Sequence, residues 1–244
     1  MKFNLTQLLF VSLLLILFLS IPDTAIAGPG GYVAKAFFKT WYGKLIGILL
    51  AVVLLPLIIY FKTREYLGIR RATSIINKLG MLKKEFQWTK LHATVSATIM
   101  NIHKAWGQED LDPVEKYMTP WYWQNQQMTI LNQWKEQGLK NVCNFYACTK
   151  VKPLNIAVSE IENFAGTRIA FLVHIEREDY MIDRKSNQVV HGKKGRESVE
   201  QIWIMEYDGT AWKLDDIQQG DLSLAYAKLK NLIPASVEER IKAF

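Results

Sequence analysis

The chain has 244 residues, a length that suits one ordinary domain together with a membrane-targeting region. Half of the residues are hydrophobic and 22% are charged, which excludes an intrinsically disordered protein. The net charge of +7 is uneven: residues 1–90 carry 12 Lys and Arg against 3 Asp and Glu (net +9), whereas residues 91–244 carry 18 against 20 (net −2). This split favours anionic lipid headgroups as a partner and argues against nucleic acid.

The first apolar segment covers residues 8–21, interrupted only by Ser12 and Ser20. Ala25 and Ala27 then supply small residues at the spacing that a signal peptidase reads. Residues 1–27 are therefore predicted to be a signal peptide or, if uncleaved, a first membrane helix. A short Gly-containing linker over residues 28–44 follows.

The second apolar segment is a run of seventeen uncharged residues, 45–61, between Lys44 and Lys62. This length is near the lower limit for a membrane span, and the run is apolar on every face, which disfavours a core helix. Aromatic residues typical of membrane interfaces stand near its ends: Trp41, Tyr42 and Tyr60. The segment is predicted to be a transmembrane helix. More Lys and Arg follow it than precede it, so the positive-inside rule places the C-terminal domain in the cytoplasm.

Residues 62–90 predict a basic amphipathic helix beside the span. Its apolar stripe has helical spacing and consists of Ile69, Ala72, Ile76, Leu79, Leu82 and Phe86. Two interpretations stay open: the helix lies on the membrane surface, or the stripe packs on the domain while the charges are solvated. Gly80 is expected to interrupt the helix. Six basic side chains are predicted to contact lipid headgroups: Lys62, Arg64, Arg70, Arg71, Lys83 and Lys84.

The rest of the chain predicts one α+β domain over residues 91–232, followed by a C-terminal tail, 233–244. Its first part reads as helices: a stripe from Leu91 to Trp106, a short helix at Asp112-Pro113, and a helix from Thr119-Pro120 to Gly138. Extended segments follow at 142–151, 156–161, 169–183, 199–207 and 212–217, and a last helix at 222–232. Helices followed by antiparallel strands favour helices packed on one curved sheet.

Several short motifs in this domain resemble the Tim44-like family, that of the motor-scaffold subunit of the mitochondrial inner-membrane import translocase. In the helical part they are Ala105-Trp106-Gly107-Gln108-Glu109-Asp110-Leu111 and Met118-Thr119-Pro120. In the sheet they are Asp179-Tyr180-Met181-Ile182-Asp183, Val189-Val190-His191-Gly192, Glu200-Gln201-Ile202-Trp203 and Trp212-Lys213-Leu214-Asp215-Asp216-Ile217. Their order and spacing carry the resemblance, which covers about residues 90–230.

The resemblance implies a cone-shaped fold like that of nuclear transport factor two, in which a curved sheet and helices enclose an apolar pocket. It also implies a bacterial inner-membrane protein, single-pass after signal cleavage or otherwise a hairpin, whose cytoplasmic domain faces the membrane. The aromatic candidates for core or pocket lining are Trp121, Tyr122, Phe145, Phe171, Tyr180, Trp203 and Trp212.

No catalytic or cofactor motif was found: the sequence lacks a phosphate-cradling Gly loop, a nucleophile elbow and a zinc signature. His174 and Glu176 share a strand face and are a possible acid–base pair, but such pairs more often lie on a solvated face. Cys143 and Cys148 are expected to be reduced thiols. We expect no catalytic residue, metal or cofactor. The chain is predicted to be a non-enzymatic, membrane-anchored binding or scaffold protein whose cytoplasmic domain contacts lipid, an unidentified protein partner or both, in membrane protein transport or assembly. Its apolar pocket is expected to hold an acyl chain or a partner segment. The alternatives are a pocket enzyme of the isomerase or dehydratase type and a structural subunit of an envelope complex.

Overall fold

The computed structural model describes residues 36 and 38–242. The predicted signal segment, 1–27, and the beginning of the predicted linker, 28–35, lie outside the described residues. The chain divides into two compact units, Met1–Phe61 and Lys62–Phe244. Each unit is described by itself.

The first unit contains the apolar part of a long helix, α1, which runs from Trp41 to Leu82. Within this unit, large apolar side chains such as Leu49, Val53 and Ile58 are exposed. Among the residues that the structure describes, α1 is the one helix that is long and apolar enough to cross a membrane. Pro56 lies inside the helix without ending it, as membrane helices tolerate. The predicted transmembrane segment is thus part of a helix more than twice its length.

Helices come first in the second unit. After the end of α1 they are a 3₁₀ turn (Lys84–Phe86), α2 (Trp88–Gln108), a 3₁₀ helix (Asp112–Tyr117), α3 (Pro120–Gln124), a π-helical segment (Asn125–Leu131) and α4 (Asn132–Glu136). Thr119 caps α3 by accepting a hydrogen bond from the Tyr122 amide at 3.4 Å, and Pro120 occupies the first turn, where a missing N–H costs nothing. Gly138, with a φ of 71°, follows α4.

Five antiparallel strands follow: β1 (Leu139–Ala157), β2 (Thr167–Asp183), β3 (Val189–Gly192), β4 (Glu197–Tyr207) and β5 (Trp212–Gln219). Their order is β1-β2-β4-β5, and β3 pairs with the far end of β2. The separate strands predicted at 142–151 and 156–161 form one strand instead, which ends at Ala157. Pro153 fits because β1 is at the end of this order and has a bulge between Pro153 and Asn155.

The C-terminal region differs from its prediction. The expected helix over 222–232 is only a 3₁₀ turn (Gly220–Leu222) and α5 (Ser223–Lys228). The chain then pairs with the end of β1, where Val158 donates to the Leu232 carbonyl at 2.8 Å. Residues 233–244, expected to be a tail, contain α6 (Ala235–Lys242), whose Val237 and Ile241 are buried in the core.

The second unit has apolar residues on both faces of the sheet. The main core lies between the helices and the inward residues of the strands, such as Phe171, Val173 and Trp203. A smaller cluster covers the other face, where Leu172 and Ile202 pack with Ala227 of α5. The α+β layout of helices and an antiparallel sheet is therefore confirmed.

The apolar stripe that follows the span is part of this domain. Ala72, Ile76, Leu79 and Phe86 are fully buried, and the last three belong to the main core. The alternative in which this stripe faces lipid is therefore wrong. Gly80 does not interrupt α1, which continues to Leu82. The domain begins well before residue 91, because residues of α1 complete its core.

Candidate binding site

A cavity of about 250 Å³ opens into the second unit between the helices and the sheet. Its walls come from α2, the segment Pro120–Glu136 and the inward faces of four strands. Six lining residues are apolar or aromatic: Trp106, Tyr122, Ile130, Leu131, Trp134 and Ile217. Six are polar: Gln126, Asn141, Cys143, Arg177, Asp179 and Gln201. The cavity is therefore mixed in character, whereas the resemblance implies an apolar pocket.

An ion pair from β2 forms part of the polar wall. Because side chains alternate along a strand, Arg177 and Asp179 continue the inward face that begins with Phe171. Arg177 Nη2 lies 3.0 Å from Asp179 Oδ2, and the two side chains are only 16% and 27% exposed. Glu197 lies on the other side of the guanidinium, 3.5 Å from its Nε. Burial raises the pKa of Asp179 in spite of the opposing effect of Arg177.

A buried histidine lies next to the cavity wall. His103 of α2 is fully buried, and its Nδ1 lies 2.8 Å from the Ile99 carbonyl, so Nδ1 carries the proton that is donated. Its ring stacks on Trp203 at 5.5 Å and meets the edge of Trp106, a cavity residue, at 5.4 Å. Burial lowers the pKa of His103 to about 4. The imidazole is therefore neutral at physiological pH.

The titratable groups of the cavity favour binding over catalysis. Burial raises the pKa of the Cys143 thiol to about 12 and raises that of Tyr122, so both stay protonated. The Asp179 carboxylate forms an ion pair with Arg177. Gln201 accepts a hydrogen bond from the Trp203 indole at 3.1 Å through its oxygen, which leaves its amide N–H groups to donate. These groups can hydrogen-bond a guest, but none of them is an activated nucleophile.

The seven aromatic residues predicted as core or pocket lining fall in different places. Tyr122 lines the cavity, Phe171 and Trp203 are fully buried in the core, and Trp212 packs on Phe86. Trp121 departs from the prediction, because it is 65% exposed on the outside of α3.

The other two aromatic candidates lie on β1 and β2. Phe145 is half-buried and contacts the His103 ring at 5.3 Å. Tyr180 is adjacent to Asp179 on β2 and so points to the opposite face, where Lys194 lies 5.8 Å from its ring.

The six basic residues predicted to contact lipid separate into two groups. Arg71 donates to the Ala227 carbonyl at 2.8 Å, and Lys83 donates to the Asn163 carbonyl at 2.8 Å. These two are therefore tied to the domain. The other four are exposed, as Arg71 is too: Lys62, Arg64, Arg70 and Lys84. Of these, Lys62 lies 3.8 Å from Glu65.

His174 and Glu176, the suggested acid–base pair, each pair with a different residue. His174 lies 3.2 Å from Glu200, and Glu176 pairs with Arg196. Within residues 36 and 38–242, no group of three His, Cys, Asp or Glu residues is placed to hold a metal ion.

Sequence reasoning missed several cavity residues, above all Arg177 and Trp134. The alternation of β2 could have identified Arg177, because the pattern Phe171, Val173, Ile175 extends directly to it. Trp134 follows Leu131 at a helical spacing of three residues, but this spacing does not distinguish a cavity wall from a packed core.

Comparisons with known proteins bear on the whole domain. A family model described as "Tim44-like domain" matches residues 72–219, more than half of the chain, and begins at the first fully buried residue of α1. No curated protein matches the chain. Among solved structures, the intermembrane space region of the chloroplast protein ARC6 is 12% identical, with a TM-score of 0.33; the match covers 51% of this chain and 95% of that one.

Proposed function

The chain belongs to the Tim44-like domain family, and on that premise we propose that it is a membrane-anchored, non-enzymatic scaffold. Its domain holds a protein partner at the cytoplasmic surface of an anionic membrane, that of the bacterial inner membrane. The observation that carries the proposal is α1 itself. One helix supplies both the exposed apolar segment and residues that are buried in the core of the domain.

The chain length keeps the domain near the bilayer. Ala72, the first fully buried residue, follows Phe61, the last residue of the apolar run, by eleven positions. A fully extended chain of this length reaches at most about 40 Å. A scaffold that acts on partners at the membrane needs this proximity, whereas a soluble enzyme does not.

The exposed basic residues supply the contact with lipid in this proposal. Arg70, Arg71 and Lys84 are exposed, but Arg71 and the half-buried Lys83 donate to carbonyl oxygens of the domain. A basic side chain near an anionic surface contributes about 1 kcal/mol. Arg70 and Lys84 therefore carry more of the membrane affinity than Arg71 and Lys83, although all four have the same charge.

Vesicle binding tests this distribution. A fragment of residues 62–244, first shown to unfold cooperatively by circular dichroism, is sedimented with neutral and with 30% phosphatidylglycerol vesicles. The double variant Arg70→Gln/Lys84→Gln is expected to lose up to about 2 kcal/mol of binding, or roughly 30-fold in partition coefficient.

The matched control is Lys135→Gln/Lys193→Gln, which removes two exposed charges elsewhere in the domain. We expect it to lose much less affinity. Equal losses in both double variants, or no preference of the fragment for anionic vesicles, would remove the lipid contact from the proposal.

A further inference from the structure

The wall of the cavity includes a long uncharged segment. The eighteen residues 117–134 contain no Asp, Glu, Lys, Arg or His, although 22% of the whole chain is charged. At that frequency about four charges are expected in such a length. The segment instead contains three Trp, two Tyr and two Met. Of these, Trp121 and Met128 are exposed, and both residue types are enriched at protein interfaces, where Lys, Glu and Asp are depleted.

This segment presents residues both to the cavity and to solvent. Tyr122, Ile130 and Trp134 line the cavity. Trp121 and Met128 are 65% and 63% exposed, unusual values for large apolar side chains. Met128 and Ile130 belong to the π turn Asn125–Leu131, and such turns occur frequently at functional sites. The surface and the cavity are thus built by the same segment.

The size and charge of the site discriminate among occupants. About 250 Å³ holds roughly eight waters, comparable to one large aromatic side chain and below the usual range for small-molecule pockets. The uncharged segment offers no basic residue to an anionic lipid headgroup. The polar groups of the cavity wall are three amide side chains, the Cys143 thiol and the paired Arg177 and Asp179. Such a site suits an uncharged guest that has an aromatic body and a hydrogen-bonding tip.

We infer that the uncharged segment 117–134 is a docking surface for an uncharged, aromatic-containing segment of a protein partner. One Tyr or Trp side chain of the partner enters the cavity, packs against Trp106 and Trp134, and donates its O–H or N–H to Asp179. The carboxylate accepts up to about four hydrogen bonds, and Arg177 and Asn141 together occupy only part of this capacity. Trp121 and Met128 contact the partner outside the cavity. This inference rests on the proposed scaffold function and names the chemistry of the partner.

The direct test uses capped amino acids as probes of the full-length chain in detergent micelles. Saturation-transfer NMR compares the N-acetyl amides of Tyr, Trp, Phe and Lys. We expect the Tyr and Trp amides to bind at least five-fold more tightly than the Phe and Lys amides. Asp179→Asn should reduce this preference for Tyr and Trp over Phe.

Variants locate the binding. Ile130→Trp fills the cavity and should reduce binding of the Tyr amide at least five-fold. If this variant does not fold, Gln126→Trp is used to fill the cavity instead. Met81→Ala, at an exposed position outside the cavity wall and outside the docking surface, should leave probe binding unchanged. The inference is overturned if no aromatic amide binds, if the filled cavity binds the Tyr amide equally well, or if octanoate binds more tightly than the Tyr amide.

Photo-crosslinking in membranes tests the occupant. A photoreactive residue at position 128 should crosslink to another protein, and Ile130→Trp should abolish that product. Crosslinks only to lipid, or only to a second copy of this chain, would contradict a protein partner. Probe binding is measured without a membrane, so its failure is distinguishable from failure of the lipid contact by Arg70 and Lys84.

Discussion

The two ends of the domain interior are built from the same strands but are filled differently. At one end, the rings of Phe86, Phe164, Tyr207 and Trp212 pack with centroid distances of 5.1–5.6 Å around Phe86. At the other end the same sheet leaves a cavity, with an ion pair and amide side chains in its wall. We call these the filled end and the open end. We expect the filled end to contribute most of the stability, whereas the open end has the space that the proposed guest requires.

The largest expected effect lies at the filled end. Phe86→Ala should lower the free energy of unfolding by about 3–5 kcal/mol, because the ring is fully buried and contacts three other aromatic rings. Met81→Ala, five residues earlier and 57% exposed, should change it by less than about 0.5 kcal/mol. Chemical denaturation of the 62–244 fragment measures both. If both variants lose a similarly small free energy of unfolding, the residues after the span do not belong to the core.

A second prediction concerns His103, which lies between the two ends. Its pKa is about 4 in the folded chain, against 6.5 as the reference value. Between these pH values the unfolded chain binds more protons, so the free energy of unfolding falls as the pH falls, by up to about 1.4 kcal/mol per pH unit. The carboxylates add their own dependence, and His103→Phe isolates the histidine. This variant should show a smaller loss of stability from pH 6.5 to pH 4; parallel curves would refute the assignment.

The smallest effect is expected at the open end. Arg177→Met leaves Asp179 without its partner at 3.0 Å and should cost about 1–2 kcal/mol, since both side chains retain contact with solvent. A double-mutant cycle with Asp179→Asn should give a coupling energy of about 1 kcal/mol. A loss as large as that of Phe86→Ala would show that the open end also holds the fold together, and the contrast between the ends would disappear.

The sequence predicted this domain best where a local pattern determines the structure. The extended patterns at 169–183, 199–207 and 212–217 were sufficient for β2, β4 and β5, and the motifs from Ala105 to Ile217 were sufficient for the family. The pattern that the sequence alone could not resolve was the apolar stripe from Ile69 to Phe86. An amphipathic helix has the same pattern whether its apolar face meets lipid or a protein core, so spacing alone left both possibilities open.

Long-range contacts explain the other misses. The helix expected over 222–232 ends at Lys228 because the residues after it pair with β1, and Asn155 donates to the Leu229 carbonyl at 3.3 Å. Close packing also depends on distant pairs: a Cβ on Gly68 would lie 2.8 Å from that of Ala227. The cavity could not be predicted because its walls come from segments as distant in sequence as Trp106 and Ile217.

The central claim is that α1 anchors the chain in a membrane while its last turns complete the domain. Carbonate extraction of membranes from cells that express the full-length chain tests this claim most directly. The account predicts that the intact protein stays in the membrane pellet after the wash and that a chain beginning at residue 62 is released. Recovery of the intact full-length protein in the carbonate supernatant would contradict it.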